Sequence, residues 1–346
     1  MNIQMQLCGL IIILLILYFY KRQETVGLYT EALFRRAAYI CIACLVLDIL
    51  SVIFIMGRSM LPDWLVRGEC KLYLVSLVGT GYAALTYACA DAFGLMQVNR
   101  FIKKMGIATA AVSVMIFLLP IGIFNKGRIV FTYGLACVAT YIGAVSLIIA
   151  TLVYTAKRGN RMNPRRRRAI RTWMGIWLAA AVIQFFYSSM LLVGFAGALG
   201  IVILFFELEN PESNLDRGTG FFNARAFADY VKYKYNSKNK GCCLVISLDN
   251  AHSSDIRIEH MEDILAEVTD FVSRIPETKR FKTDEKEFSL AFENREQMER
   301  AYTMIANRFQ EEWLVGMENV TPVSLQPYYL LVPAAEVADS AEEMLG

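Results

Sequence analysis

The sequence predicts a multi-pass α-helical membrane domain of seven helices at residues 1–206. After a linker at 207–215 it predicts a cytoplasmic α+β domain at 216–346, with the β-α-β-β-α-β order of a ferredoxin-like sheet. Three observations carry this expectation. Hydrophobic residues make up 56% of the 346 positions and the mean hydropathy is +0.40, too apolar for two ordinary soluble domains. The charges are segregated: residues 1–206 hold 20 Lys and Arg against 6 Asp and Glu, whereas 207–346 hold 15 against 26. After Phe206 a charge-free stretch of 35 residues gives way to the polar, turn-forming ELENPESNLDRGTGFF.

Seven apolar runs can be drawn, at 3–20, 36–56, 72–96, 104–124, 130–155, 172–188 and 190–206. Most approach the ~20 residues that carry a helix across ~30 Å of hydrocarbon. A single helix over 172–206 would be about 50 Å long, so a turn is expected near Ser188 and Ser189. The first run has no basic segment before it and ends at Lys21 and Arg22, which reads as a retained span. Loops one, three and five carry 15 Lys and Arg against 5 in loops two, four and six. That bias places the N-terminus outside and the C-terminal domain in the cytoplasm, with the chain in the cell's inner membrane. The run NPRRRRAIR is read as the loop before the sixth helix that fixes this topology, with a grip on anionic lipid head groups as the alternative. Asp48 and Asp91 are the acidic side chains well inside predicted spans, and are candidates for a signal relay because such groups are costly in lipid.

Several other signals receive structural readings. Cys41 and Cys44 have CxxC spacing but lie within a span, with no second pair or nearby His, so helix packing is expected rather than zinc or redox chemistry. The eight cysteines show no disulfide framework. His252 and His260 have no companion ligands, so no metal site is expected from them. The net charge of +3 conceals the split between the two halves and gives no case for nucleic-acid binding.

In the soluble half, Asn223 is an N-cap candidate for a helix carrying Phe227, Tyr230 and Val231. CCLVISLD at 242–249 is a continuous apolar run, as expected of a buried strand. From Ile258 to Ile275 apolar residues recur at helical spacing. KRFKTDEKEFSLAFEN at 279–294 reads as a hairpin with an acidic turn, followed by a helix at about 296–313 and a last strand around 322–331. In this order the end of the first strand and the hairpin turn can converge. Carboxylates at those two places would suit magnesium and a nucleoside triphosphate.

These residues resemble the GGDEF domains of bacterial diguanylate cyclases, which join two GTP molecules into cyclic di-GMP across a dimer interface. LDRGTGFFNARAF is similar to the family's D-x-L-T-G-L-x-N-R-R-x-F at Asp216, Thr219, Gly220, Asn223, Arg225 and Phe227, with Gly218 at the Leu position. LVISLDNAH corresponds to its D-x-D-x-F-K strand end, and DEKEF at 284–288 to its signature. A membrane sensor ahead of such a domain is also typical of the family. The resemblance puts one metal aspartate at Ser247 and the metal carboxylate of the signature at Lys286, so two magnesium ligands are replaced. The signature glycines fall at Asp284 and Glu285, and Glu287 and Phe288 keep the acidic and hydrophobic positions. Asp249, Asp255, Asp263 and Glu287 are the candidate nucleotide-binding residues.

What the resemblance implies is an integral membrane signalling protein with a degenerate, catalytically inactive GGDEF domain. It would act in, or derive from, cyclic di-GMP signalling by binding a nucleotide or partner. Magnesium and GTP enter as cofactors only if the site is still competent. The expected partners are the lipid bilayer, a second copy of the chain, GTP or cyclic di-GMP, and an EAL or other signalling protein. One alternative is an active diguanylate cyclase whose metal site is built from Asp249, Asp255 and Glu287. Another is a transporter or channel with a regulatory domain, although no internal repeat or broken helix pair supports it. The family's last helix and strand extend beyond what 216–346 supplies, so a truncated domain or a piece of a longer GGDEF–EAL chain is expected.

Overall fold

The computed structural model describes residues 3–90, 95–126, 129–157, 162–187, 190–235, 241–248, 258–315 and 321–332. By contacts the chain divides into Met1–Glu24 with Tyr29–Asn210, and Thr25–Leu28 with Pro211–Gly346.

The first unit contains helices α1 (Gln4–Arg22), α2 (Tyr29–Met56), α3 (Asp63–Cys89) and α4 (Leu95–Leu118), strands β1 (Gly122–Lys126) and β2 (Ile129–Tyr133), then helices α5 (Leu135–Lys157), α6 (Pro164–Phe186) and α7 (Val193–Leu204). Among the described residues, seven helical segments are long and apolar enough to cross a membrane, the last being α7 with its continuation to Asn214. Their outer faces are apolar, with Leu15, Ile53, Ile142 and Ile149 all exposed, as expected of surfaces in hydrocarbon. Inside, α7 approaches its neighbours through glycines. A Cβ at Gly194 would meet Asp48 Oδ2 at 3.2 Å, and one at Gly197 would meet Cys41 Sγ at 3.3 Å. Small residues at a helix contact allow this close approach in a membrane, where burial in lipid supplies no hydrophobic drive between helices.

Two sequence expectations are corrected here. The ends of the runs at 104–124 and 130–155 are not helical but form an antiparallel hairpin pairing Gly122 with Tyr133. Pro120 cannot continue α4, and the β-branched and aromatic residues beyond it favour a strand. The Phe124 and Phe131 rings stack at 4.7 Å across the pair. The run NPRRRRAIR is not a loop. Asn163 caps α6 by accepting a hydrogen bond from Arg165 N at 3.0 Å, Pro164 is the first helical residue, and the arginines follow in the helix.

As a result Arg166 is buried, 6% exposed. Its Nη2 donates to Tyr87 O at 2.7 Å and its guanidinium lies 4.5 Å from the centre of the Tyr87 ring. Tyr87 Oη in turn donates a short hydrogen bond to Glu209, which is also buried and feels the Arg166 charge. Asp48 is wholly buried and accepts from Gln6 Nε2 at 3.2 Å. Asp91 lies outside the described residues, as do Ser188 and Ser189.

The second unit contains β3 (Phe222–Asn223), α8 (Ala224–Tyr235), β4 (Cys242–Ser247), α9 (Ile258–Ser273), β5 (Lys279–Asp284), β6 (Glu287–Phe292), α10 (Arg295–Phe309), β7 (Trp313–Val315), β8 (Thr321–Val323) and β9 (Tyr328–Val332). Its main sheet runs β3-β5-β6-β4-β9, with β3 parallel to β5 and the other pairs antiparallel. The four strands from β5 to β9 realise the predicted β-α-β-β-α-β plan, and β3 adds a short edge.

The predicted last strand at 322–331 begins later, at Tyr328. A proline cannot donate to a central ladder, and Pro327 marks this start. Residues 321–323 pair instead with 313–315 in a separate hairpin. The predicted helix at 296–313 stops at Phe309 because Trp313 is drawn into the core, where its ring contacts Phe309 at 5.0 Å and Phe271 at 5.9 Å.

One sheet face packs Leu244, Ile246, Phe288, Leu290 and Phe292 against apolar residues of α9 and α10. The other packs Cys243, Phe281 and Ala291 against α8. Val26, from the connection between α1 and α2, is 1% exposed in this second cluster, and Lys279 Nζ donates to Thr25 O at 3.1 Å.

Candidate functional site

The turn between β5 and β6 is built without glycine. Its central residues Glu285 and Lys286 do not have positive φ, and the pairing of β5 with β6 shifts register between Lys282 and Asp284. A two-residue hairpin loop ordinarily uses positive φ to match the twist of its strands. Here the irregularity at Thr283 accommodates the turn instead. Asp284 Oδ1 accepts from Glu285 N at 2.8 Å and Lys282 Nζ donates to Glu285 O at 2.7 Å, so the turn is tied from within.

The strand end and the turn converge as the sequence order predicts. Ser247 stands opposite Glu287 in the β4–β6 ladder, and Leu248 N donates to Lys286 O at 2.9 Å. Glu287 Oε1 accepts from Thr283 Oγ1 at 2.6 Å, and Thr283 Oγ1 lies 3.1 Å from the buried Ser289 Oγ. Glu287 is therefore committed to a cross-strand network. Phe288 is fully buried in the core and serves packing.

The leading turn, DRGTG, is local. Asp216 Oδ1 accepts from Thr219 N at 2.9 Å and from Thr219 Oγ1 at 2.8 Å, and Gly220 takes φ +73, a conformation disfavoured for other residues. Asn223 caps α8, its Oδ1 accepting from Ala226 N at 3.0 Å, while its Nδ2 donates to Ser213 O at 3.0 Å. The turn lies beside the hairpin: the Phe221 and Phe288 rings meet edge to face at 6.2 Å.

Asp263 is exposed on α9, and Asp249 and Asp255 lie outside the described residues. Among the described residues, no three His, Cys, Asp or Glu side chains are grouped to hold a metal.

Lys282 was not singled out by its sequence position. Its Nζ sits 3.8 Å from the centre of the Phe288 ring, half-buried among Asp216, Asp284, Glu285 and Glu287. Burial pulls its pKa down from 10.5 to about 8, against the four carboxylates that hold it up. At this lysine the unfolded chain therefore binds up to one more proton between about 8 and 10.5, and its contribution to stability rises with pH across that window. Lys282→Met is expected to abolish this rise. The difference between wild-type and variant unfolding midpoints, followed through the window, measures it, and an unchanged pH slope refutes it.

At Ser247 and Lys286 the donor set does not fit magnesium. The ion takes carboxylate, phosphate and water oxygens. The strand-end and turn positions that the resemblance aligns with metal ligands hold a neutral hydroxyl, Ser247, and an ammonium, Lys286. An ammonium has no lone pair to offer.

No family profile matches the chain, and no curated protein matches it. Among solved structures it is similar to the crystal structure of the FimX GGDEF domain from Pseudomonas aeruginosa. The identity is 16% and the TM-score 0.31, with 38% of this chain and 86% of that one covered.

Proposed function

We propose that the chain is a membrane signalling protein whose degenerate GGDEF-type domain works by binding a nucleotide or a partner and does not make cyclic di-GMP. The observation that carries this reading is the pairing of Ser247 with Glu287 while Leu248 holds Lys286: the strand end and the turn meet, and the residues there that correspond to the family's metal ligands are Ser247 and Lys286. Phosphoryl transfer depends on positioning and charge neutralisation. A cation at Lys286 and acidic side chains at Asp284 and Glu285 supply neither magnesium nor room for the phosphates. The excess of Lys and Arg in loops one, three and five supports an N-terminus outside and a cytoplasmic location for the α+β domain.

Full-length protein in lipid nanodiscs, supplied with GTP and magnesium, is expected to release no cyclic di-GMP, and steady production of the dinucleotide sinks the proposal. Equilibrium binding of GTP and of cyclic di-GMP to the same preparation then separates a nucleotide-binding domain from a partner-binding one. Combining Ser247→Asp, Lys286→Asp, Asp284→Gly and Glu285→Gly is expected to restore measurable synthesis, because it returns both metal ligands and clears the turn.

A further inference from the structure

The first unit contains a cavity of about 190 Å³ between α3, α5, α6 and β2. Leu77, Ala144, Ala181 and Trp177 form apolar walls, and Tyr133, Val138 and Phe185 are exposed at its rim. It is somewhat larger than the ~150 Å³ engineered cavity that admits benzene.

The polar groups facing it differ in how far they are committed. Thr140 Oγ1 donates to Ala136 O at 2.9 Å, and Gln184 Oε1 accepts from Val193 N at 2.9 Å. The Tyr73 hydroxyl, on a side chain 5% exposed, has no hydrogen bond of acceptable geometry. Asp48, Gln184, Tyr141 and Cys44 are its polar neighbours, and none of them lies in hydrogen-bonding geometry to it. Leaving a buried hydroxyl unmet costs on the order of 1–3 kcal/mol, a cost that an occupant with a matching polar atom removes. None of the described lining residues is charged, so an ionic occupant would be desolvated without a counter-charge.

We infer that this cavity is a binding site for a small uncharged molecule with an apolar body of roughly ten non-hydrogen atoms and one hydrogen-bonding end, which Tyr73 meets. The occupant is held mainly by burial against Trp177 and the aliphatic walls, and it is oriented by the tyrosine hydroxyl. This site is separate from the soluble-domain hairpin, and its occupancy does not depend on how nucleotides are handled there.

Three probes of one shape test it: 2-naphthol, naphthalene and 2-naphthoate, offered to the full chain in nanodiscs by equilibrium dialysis, with uptake by empty nanodiscs subtracted. Wild-type protein is expected to bind 2-naphthol saturably and about tenfold more tightly than naphthalene, and to bind 2-naphthoate not at all. Tyr73→Phe keeps the ring and should lower 2-naphthol affinity about tenfold while leaving naphthalene unchanged. Ala144→Phe should abolish both, and Ala181→Leu supplies a second filling variant if thermal unfolding shows that the first is not folded. Absence of saturable uptake of the neutral probes, binding of 2-naphthoate as tight as that of 2-naphthol, or indifference of 2-naphthol affinity to Tyr73→Phe would each overturn the inference.

Discussion

Arg166→Met is expected to lower the unfolding free energy of the membrane unit by about 3–5 kcal/mol, because it strips a cation from a buried acid without giving that acid back to water. Three losses coincide. Tyr87 O loses a donor at 2.7 Å, the Tyr87 ring loses a stacked guanidinium, and Glu209 keeps its buried carboxylate beside Tyr87 Oη with the Arg166 charge gone. A surface arginine in a loop would cost almost nothing to replace, so the size of the effect distinguishes the two placements. Denaturation of purified protein in detergent gives the single-variant cost. The cycle with Glu209→Gln gives the coupling, and the double variant should regain part of the lost stability. A loss below about 1 kcal/mol would show Arg166 to be solvated.

The second large effect is steric. A Cβ on Gly200 of α7 would stand 1.7 Å from Trp173 Nε1 and 2.0 Å from Cε2, far inside contact distance. The indole cannot swing away freely, since it is 1% exposed and stacked on Trp177. Gly200→Ala is therefore expected to cost about 3 kcal/mol or more by overpacking, read as a drop in thermal unfolding temperature. Gly175 has open space where its Cβ would lie, so Gly175→Ala is the matched control and should be neutral or mildly stabilising. Adding Trp173→Leu to Gly200→Ala should recover much of the loss. A normal unfolding temperature for Gly200→Ala alone would mean that α7 does not approach α6 in this way.

Where the sequence was legible, a local signal agreed with the final environment. The charge-free runs became helices because length and composition alone decide that question in a bilayer. Asn223 and the run through 279–292 acted locally, as a cap and a hairpin.

The misreadings share one cause, which is that the deciding contact is distant in sequence. Arg166 looked like one of several equivalent loop cations until Tyr87 and Glu209 met it. The Asn-Pro pair before it was the available start signal. Trp313 left its predicted helix for contacts with Phe271 and Phe309. Pro120 and Pro327 were usable punctuation that marked the ends of two runs drawn too long. At the candidate site, the meeting of the strand end with the turn followed from strand order, whereas the engagement of Lys282 beneath the turn did not. Its position two residues before Asp284 gives no sign that its ammonium doubles back to Glu285 O.

The soluble domain is discontinuous in the chain, and this has a consequence for the order in which it can be completed. Val26 emerges from the ribosome some 250 positions before Phe281, with Lys279 bonded to Thr25 across a separation of 254 residues. Contacts this far apart form late, because the intervening chain must be placed before the loop can close. Every membrane helix after α1 is synthesised before the sheet that receives Val26 exists. Until then Val26 waits without the apolar residues it packs against. The last piece of the domain to find its place is thus among the first to be made.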